Sequence, residues 1–349
     1  MAINIAAVAE KAGVAASTVS LVLRNRPRVS PETRATVLAV VKELGYQKRR
    51  PGRPRRRPGD PVSAKRTNRF ALLVPDMTPA TLYAPIYADV LRGVETAIHE
   101  ARKTMVLRHV ESGRALDGSF LFTRLDGVLL FSKTHDPELI RQLKDLPVVQ
   151  LMHAVQPNEI WDRVTYNNAK IGSMVAQYAQ AREHRYAAFV GHVCGRDDVF
   201  MQQRGLDFKD VMSAEGGRVH VLVRDLLHIT EGLHTVHREV MDAIAKDLLA
   251  LTPRPTLVFT EADMIAQALY PALQAQGLQP GRDIEVVSCN NERPLLAPLR
   301  PRPATVDIHA AEIGRKAVQR LIWRIRNPGK PPEVILVEPS MIEADPAMR

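Results

Sequence analysis

Lys48-Arg49-Arg50-Pro51-Gly52-Arg53-Pro54-Arg55-Arg56-Arg57 places seven basic side chains in ten residues. Cations at that density hold polyanions, phosphate oxygens above all. The charge of the whole chain follows this run. Residues 1–69 carry 16 basic and 4 acidic side chains and residues 70–349 carry 32 and 34, so the formal charge of +10 belongs to the first fifth of the sequence. A short basic unit on a neutral body points to a nucleic-acid partner. Other chemistries are poorly served. There is no Gly-x-Ser-x-Gly, no Gly-Lys-Ser/Thr phosphate loop and no His-Glu-x-x-His, so we expect no enzyme, no catalytic residue and no cofactor. His228, His234 and His237 lie close in sequence, but their spacing matches no common metal site. They read as solvated helix histidines, and no metal is expected.

Two cysteines, Cys194 and Cys289, in 349 residues make no disulfide framework, which suits a reducing compartment. The amino terminus lacks a basic leader region, and no stretch approaches the roughly 18 apolar residues of a membrane span. The expectation is a cytoplasmic protein with no membrane partner.

A basic run specifies little without elements to position it. Residues 4–23 read as two short helices. Asn4 is a suitable N-cap, Ile5, Val8, Ala9 and Ala12 share one face, and Gly13 interrupts where a tight turn needs positive φ. A second helix runs through Ser17-Thr18-Val19-Ser20-Leu21-Val22-Leu23. A small residue at Ala9 lets two helices cross closely, and Val19 closes the core between them, as a helix-turn-helix requires. A third helix starts at Ser30-Pro31, with Ser30 as N-cap and Pro31 at the first helical position, and stops at Gly45.

The run Val8-Ala9-x-x-Ala12-Gly13-Val14, followed by Ser17-Thr18-Val19-Ser20, Arg28-Val29-Ser30, Thr33-Arg34 and Leu44-Gly45-Tyr46, resembles the lac-repressor (LacI/GalR) family of bacterial regulators. The resemblance implies that Ala16, Ser17 and Leu21 read bases in the major groove. It places Thr18, Ser20 and Asn25 on phosphates, with Asn4 beside them. Many members carry arginine where Leu21 stands, so one guanine contact is missing, and leucine offers only apolar contact such as a thymine methyl.

The basic run departs from that family. Gly52-Arg53-Pro54 flanked by Arg50 and Arg55 resembles the AT-hook, in which prolines keep the backbone extended and glycine lets it sit deep. Its arginines follow the narrow, electronegative minor groove of A·T tracts. A non-specific phosphate patch is the other reading of the same charges. The resemblance to the regulators implies a short hinge helix here, but Pro51, Pro54, Pro58 and Pro61 oppose one, and no leucine stands between Tyr46 and Phe70 to wedge into the groove.

From Phe70 the pattern changes to apolar strands alternating with helices. Strands are expected at 70–74, 104–107, 127–131, 148–151, 187–190, 219–222, 256–259 and 285–288. Continuous apolar runs between helices imply parallel sheets covered on both faces, and this length favours two doubly wound lobes. The family resemblance, weaker here, implies a periplasmic-binding-protein-like core with an effector between the lobes. It assigns candidate effector residues position by position: Tyr87 and neighbouring Tyr83, Asn167 of Asn167-Asn168, Arg204 four residues before Phe208, Asp263, and Asn290 of Asn290-Asn291. Asn167 and Asn290 stand where carboxylates are common, so a less negative pocket is expected, suiting an effector other than a simple neutral pentose or hexose.

The expected fold is an N-terminal all-α helix-turn-helix domain (1–46), a basic Pro/Arg-rich linker (47–68) and an α/β core of two doubly wound parallel-sheet lobes (69–349). Lobe 1 is expected over about 69–164 plus 293–326, and lobe 2 over about 165–292 plus 327–345. The final strand, 333–338, is expected in the second lobe. The function expected is a ligand-responsive transcriptional regulator, a repressor rather than an activator. Its partners would be double-stranded DNA, a sugar or sugar-derived effector, and a second copy of itself. The alternative is an architectural minor-groove protein whose core no longer responds to a ligand.

Overall fold

The computed structural model describes residues 5–23, 29–44, 67–75, 77, 82, 84–111, 116, 124–131, 136–152, 160–193, 199–230 and 233–345. The chain divides into two units, residues 1–65 and 66–349. In the first, α1 (Ile5–Lys11), α2 (Ala16–Leu23) and α3 (Pro31–Glu43) close around Val8, Ala9, Val19, Val22, Val37 and Val40. Gly13, at φ +66°, makes the turn between α1 and α2. Ser30 caps α3 as its sequence predicts, its Oγ accepting from the Thr33 amide at 3.2 Å, with Pro31 in the first turn.

The second unit runs β1 (Arg69–Pro75), α4 (Pro85–Glu100), β2 (Thr104–Val110), β3 (Gly127–Phe131), α5 (Pro137–Leu143), β4 (Val148–Leu151) and β5 (Asp162–Tyr166). It continues with α6 (Ala169–Ala181), β6 (Tyr186–His192), α7 (Val199–Ala214), β7 (Arg218–Arg224), β8 (Leu227–Thr230), β9 (Leu233–Val236) and α8 (Arg238–Ala250). Then follow β10 (Leu257–Thr260), α9 (Asp263–Ala275), β11 (Glu285–Cys289), α10 (Arg293–Leu296), β12 (Ala304–Asp307), α11 (Ala310–Arg326), β13 (Val334–Val337) and β14 (Ser340–Ile342).

Two six-stranded sheets result, in the orders β13-β5-β4-β3-β1-β2 and β14-β12-β11-β10-β6-β7. The first is parallel throughout, and the second is parallel except for β14. Each of the strands expected from the apolar runs is present. Residues such as Leu72, Leu73, Val128, Leu129, Val258 and Phe259 are wholly buried, because helices cover both sheet faces.

The division between lobes differs from the expectation. β12 lies in the second sheet, α11 packs against α4 of the first lobe, and β13 pairs in parallel with β5, Val334 opposite Arg163. The chain therefore crosses near 167, 308 and 338, and the strand at 334–337 belongs to the first lobe. Buried Asp162 explains this. It accepts from Arg320 at 2.9 Å, from Arg324 at 2.6 and 2.7 Å, and from the Glu333 amide at 2.8 Å. The end of α11 and the start of β13 are thus drawn to the start of β5, whose edge β13 completes. The short β14 returns to the second lobe.

Two contacts set the first lobe. Gly93 of α4 and Gly314 of α11 face each other's helices. A Cβ on Gly93 would fall 1.8 Å from the Ala311 carbonyl oxygen, and one on Gly314 would fall 2.2 Å from that of Val90. At the start of β1, Asp126 accepts from the Thr67 and Asn68 amides at 2.9 and 2.8 Å, fastening the entry to the core.

The histidines also differ from the expectation. β8 and β9 form an antiparallel hairpin with His228 opposite Thr235 and His234 opposite Ile229, and His237 is the N-cap of α8. His228 and His234 are therefore strand residues and His237 stands at a helix start, so none lies within a helix.

Candidate DNA-binding helix and effector cleft

Within the first unit, α2 is held by its inner face. Val19 and Val22 are buried against Val8 and Val37, which leaves Ala16 and Ser17 exposed at its amino end and Thr18, Ser20 and Leu21 half-buried along one side. The first turn of α2 has no acidic residue of its own, so its amides and dipole favour an anion such as a phosphate. Five of the sequence-predicted DNA contacts therefore share one short helix. Asn4, Asn25, Arg50, Gly52, Arg53, Pro54 and Arg55 lie outside the described residues.

Ligands of doubly wound folds sit beyond the carboxyl ends of strands, and Asn167 after β5 and Asn290 after β11 follow such ends in the second unit. Arg204, on α7, is 0% exposed. Its Nε donates to Asn168 Oδ1 at 2.8 Å, one Nη donates to the Glu261 carbonyl at 2.6 Å, and its guanidinium lies 5.3 Å from the centre of the Tyr166 ring. The other Nη has no partner among the described residues. Burial opposes the charge, but Cys289, Tyr166 and Glu261 hold the guanidinium above the usual arginine range. A buried cation with one unused donor favours a ligand oxygen there.

The other predicted residues take different positions. Tyr87, half-buried on α4, meets Phe131 edge-on at 5.5 Å. Asn167 sits on the first crossover and donates to Glu338 on the third at 3.0 Å, so it is its neighbour Asn168 that meets Arg204. Asn290 adopts φ +110° and donates to Glu292 Oε2 at 3.2 Å. Asp263 is wholly buried and accepts from Ser288 Oγ, from Thr305 Oγ1 at 2.9 Å and from the Glu292 amide at 2.6 Å. Burial pushes its carboxyl up to about 7 against those three donors. Tyr83 lies outside the described residues.

Two further acids stand here without having been expected from the sequence. Glu261 and Glu292 are 5% and 4% exposed, and with Asp263 they make this region more acidic than the loss of carboxylates at 167 and 290 suggests. Burial raises the Glu292 carboxyl, with Asp89 adding to the effect and Asn290, the Ile86 amide and Arg204 opposing it. The available signal is positional. Glu292 follows a strand end by three residues and opens α10, where a side chain turns inward.

Comparison with known proteins agrees with both units. Residues 4–48 match the model of the bacterial regulatory proteins of the lacI family, and residues 176–344 match the periplasmic binding protein-like domain. The chain thus pairs an amino-terminal segment like the DNA-binding domain of the lacI-family regulators with a periplasmic-binding-protein-like domain. It is 27% identical over 344 residues to the HTH-type transcriptional repressor PurR of Pectobacterium carotovorum, covering 96% of this chain and 94% of the relative. Identity to catabolite control protein A of Priestia megaterium is 26% over 348 residues, covering 98% of each chain. A solved complex of the transcriptional regulator CelR with cellobiose superposes with a TM-score of 0.65 at 26% identity, covering 98% of this chain and 99% of that one. The two matched domains, with regulators similar over the whole chain, make it a DNA-binding, ligand-responsive regulator. Among the described residues no helix is long and apolar enough to cross a membrane.

Proposed function

We propose that the chain represses transcription by binding a two-fold operator as a homodimer and that a sugar or sugar-derived effector enters the cleft at Arg204. The observation that carries the effector reading is the unused Nη of a guanidinium with no solvent exposure. A sugar hydroxyl or ring oxygen would satisfy it, while Tyr87 supplies an apolar face and Asn168 keeps Arg204 in place. One further observation supports the reading: a relative with the same architecture is known as a cellobiose complex.

At the DNA, Ala16, Ser17 and Leu21 of α2 contact bases in the major groove, and Thr18 and Ser20 contact phosphates. The linker follows the minor groove with Arg50, Arg53 and Arg55, in place of a hinge helix. The dimer uses the edge of β2, which pairs only with β1 among the described residues and where Val106 and Leu107 are 37% and 41% exposed. An uncovered apolar strand edge is costly to leave in water and pairs readily.

The test is a thermal-shift screen of the full chain and of Arg204→Ala against mono- and disaccharides, cellobiose included, and their phosphates. At least one compound should raise the melting temperature of the wild type by several degrees and that of the variant much less. A wild type stabilised by none of them would contradict the effector reading and favour the architectural alternative.

A further inference from the structure

Ile86 is the second residue of a helix whose N-cap, Ala84, offers no side-chain acceptor. Its amide is one of the donors that an α-helix leaves without an internal partner. The acceptor comes from the other lobe. Glu292 Oε1, in the loop after β11, accepts from the Ile86 amide at 3.1 Å, although the two residues are 206 positions apart. The carboxylate is fixed at both ends. Its second oxygen accepts from Asn290 Nδ2 at 3.2 Å, and its own backbone amide donates to buried Asp263 at 2.6 Å. Asp263 in turn holds Ser288 and Thr305, which pair across β11 and β12 of the second sheet. A rigid polar chain therefore runs from the second sheet to the amino end of α4. The helix dipole favours a negative group there, while burial opposes the charge and makes the Ile86 and Asn290 donors costly to lose.

We infer that Glu292 is a positioning residue, a latch that fixes the angle between the two lobes. Tyr87 is the next residue along α4, so the latch also sets where this proposed effector contact stands. An effector that changes the lobe angle must stretch or release the Ile86 contact, and the strength of that contact sets how readily the lobes respond. The inference rests on the effector reading only for this last consequence. The latch itself rests on the Glu292–Ile86 contact alone.

Its test needs no effector. Hydrogen exchange resolved to single amides is measured on the full chain, together with the distance distribution between spin labels at Glu95→Cys and Lys209→Cys, with Cys194→Ser throughout. Glu292→Ala should speed exchange at Ile86 by about tenfold or more while leaving Val90 and Val94 unchanged, and should broaden the interlobe distribution. Glu292→Gln retains an acceptor for the amide and should restore both readouts to near wild type. If Glu292→Ala does not fold, Ile86→Pro decides. It removes the donor at a position where a helix tolerates proline, and it should broaden the distribution in the same way. Unchanged Ile86 exchange in Glu292→Ala would overturn the proposal, as would an unchanged interlobe distance in Ile86→Pro. Either result would leave the Arg204 effector test standing, so the two readings fail separately.

Discussion

Asp263 shows how burial turns one side chain into a pH-dependent load. Its carboxyl titrates at about 7 when folded, far above the ordinary aspartate value. Between about pH 4 and pH 7 the folded chain therefore holds a proton that the unfolded chain has released. Stability contributed by that proton is full below the unfolded value, falls as pH rises, and levels off above about 7, a change of at most about 4 kcal/mol. Glu292, raised in the same direction, adds to this trend, whereas Asp162 and Glu285, both lowered, contribute stability that is lost on acidification. The difference between proteins isolates the residue. Melting temperature followed from pH 5 to pH 8 should fall less steeply in Asp263→Asn than in wild type. Parallel curves would mean that Asp263 is not protonated in this range. None of this is legible from the Ala262-Asp263 pair, because the three donors converging on the carboxylate come from Ser288, Glu292 and Thr305, distant in sequence.

At the scale of elements, sequence pattern is most informative where local chemistry decides the outcome. Ser30 and Pro31 fix the start of α3, Gly13 the turn before α2, and the apolar runs the strands of both sheets. It fails where a distant partner decides. The hairpin at β8 and β9 is two strands too short to announce themselves, and β13 joins the first sheet because Asp162 lies there. The α4–α11 contact is of the same distant kind, and it yields a prediction. Gly93→Ala forces a methyl group into the Ala311 carbonyl and should destabilise the second unit by about 1–3 kcal/mol, read as a lower denaturation midpoint. Retained stability would mean the two helices can separate at little cost. The linker is tested by charge. Deleting residues 48–57 should lower DNA affinity and flatten its salt dependence, each lost phosphate contact reducing the log–log slope by about 0.9. An unchanged slope would show that the basic run does not touch DNA.

For the whole molecule, charge asymmetry and the amino-terminal motif make DNA binding legible in the sequence itself. The cleft is only partly legible there. Arg204 can be placed by its position before Phe208, yet its partner is Asn168 and not Asn167. Glu292 carries only the positional signal of its place after β11, because its role depends on α4 lying against the other lobe. The proposed dimer is tested by Val106→Glu combined with Leu107→Lys. Sedimentation should show a dimer for wild type and a monomer for the variant, and a variant that remains dimeric would move the interface away from β2. The central claim is that ligand occupancy at Arg204 changes operator binding. The most direct measurement is operator titration of wild type and Arg204→Ala, each with and without the sugar found by the thermal-shift screen, on a duplex selected by the full chain. Without sugar the two proteins should bind with nearly equal affinity, because Arg204 lies in the second unit. With sugar, wild-type affinity should shift at least about fivefold, a typical coupling between sites, and that of the variant little or not at all. A full ligand-induced shift in Arg204→Ala would contradict the account.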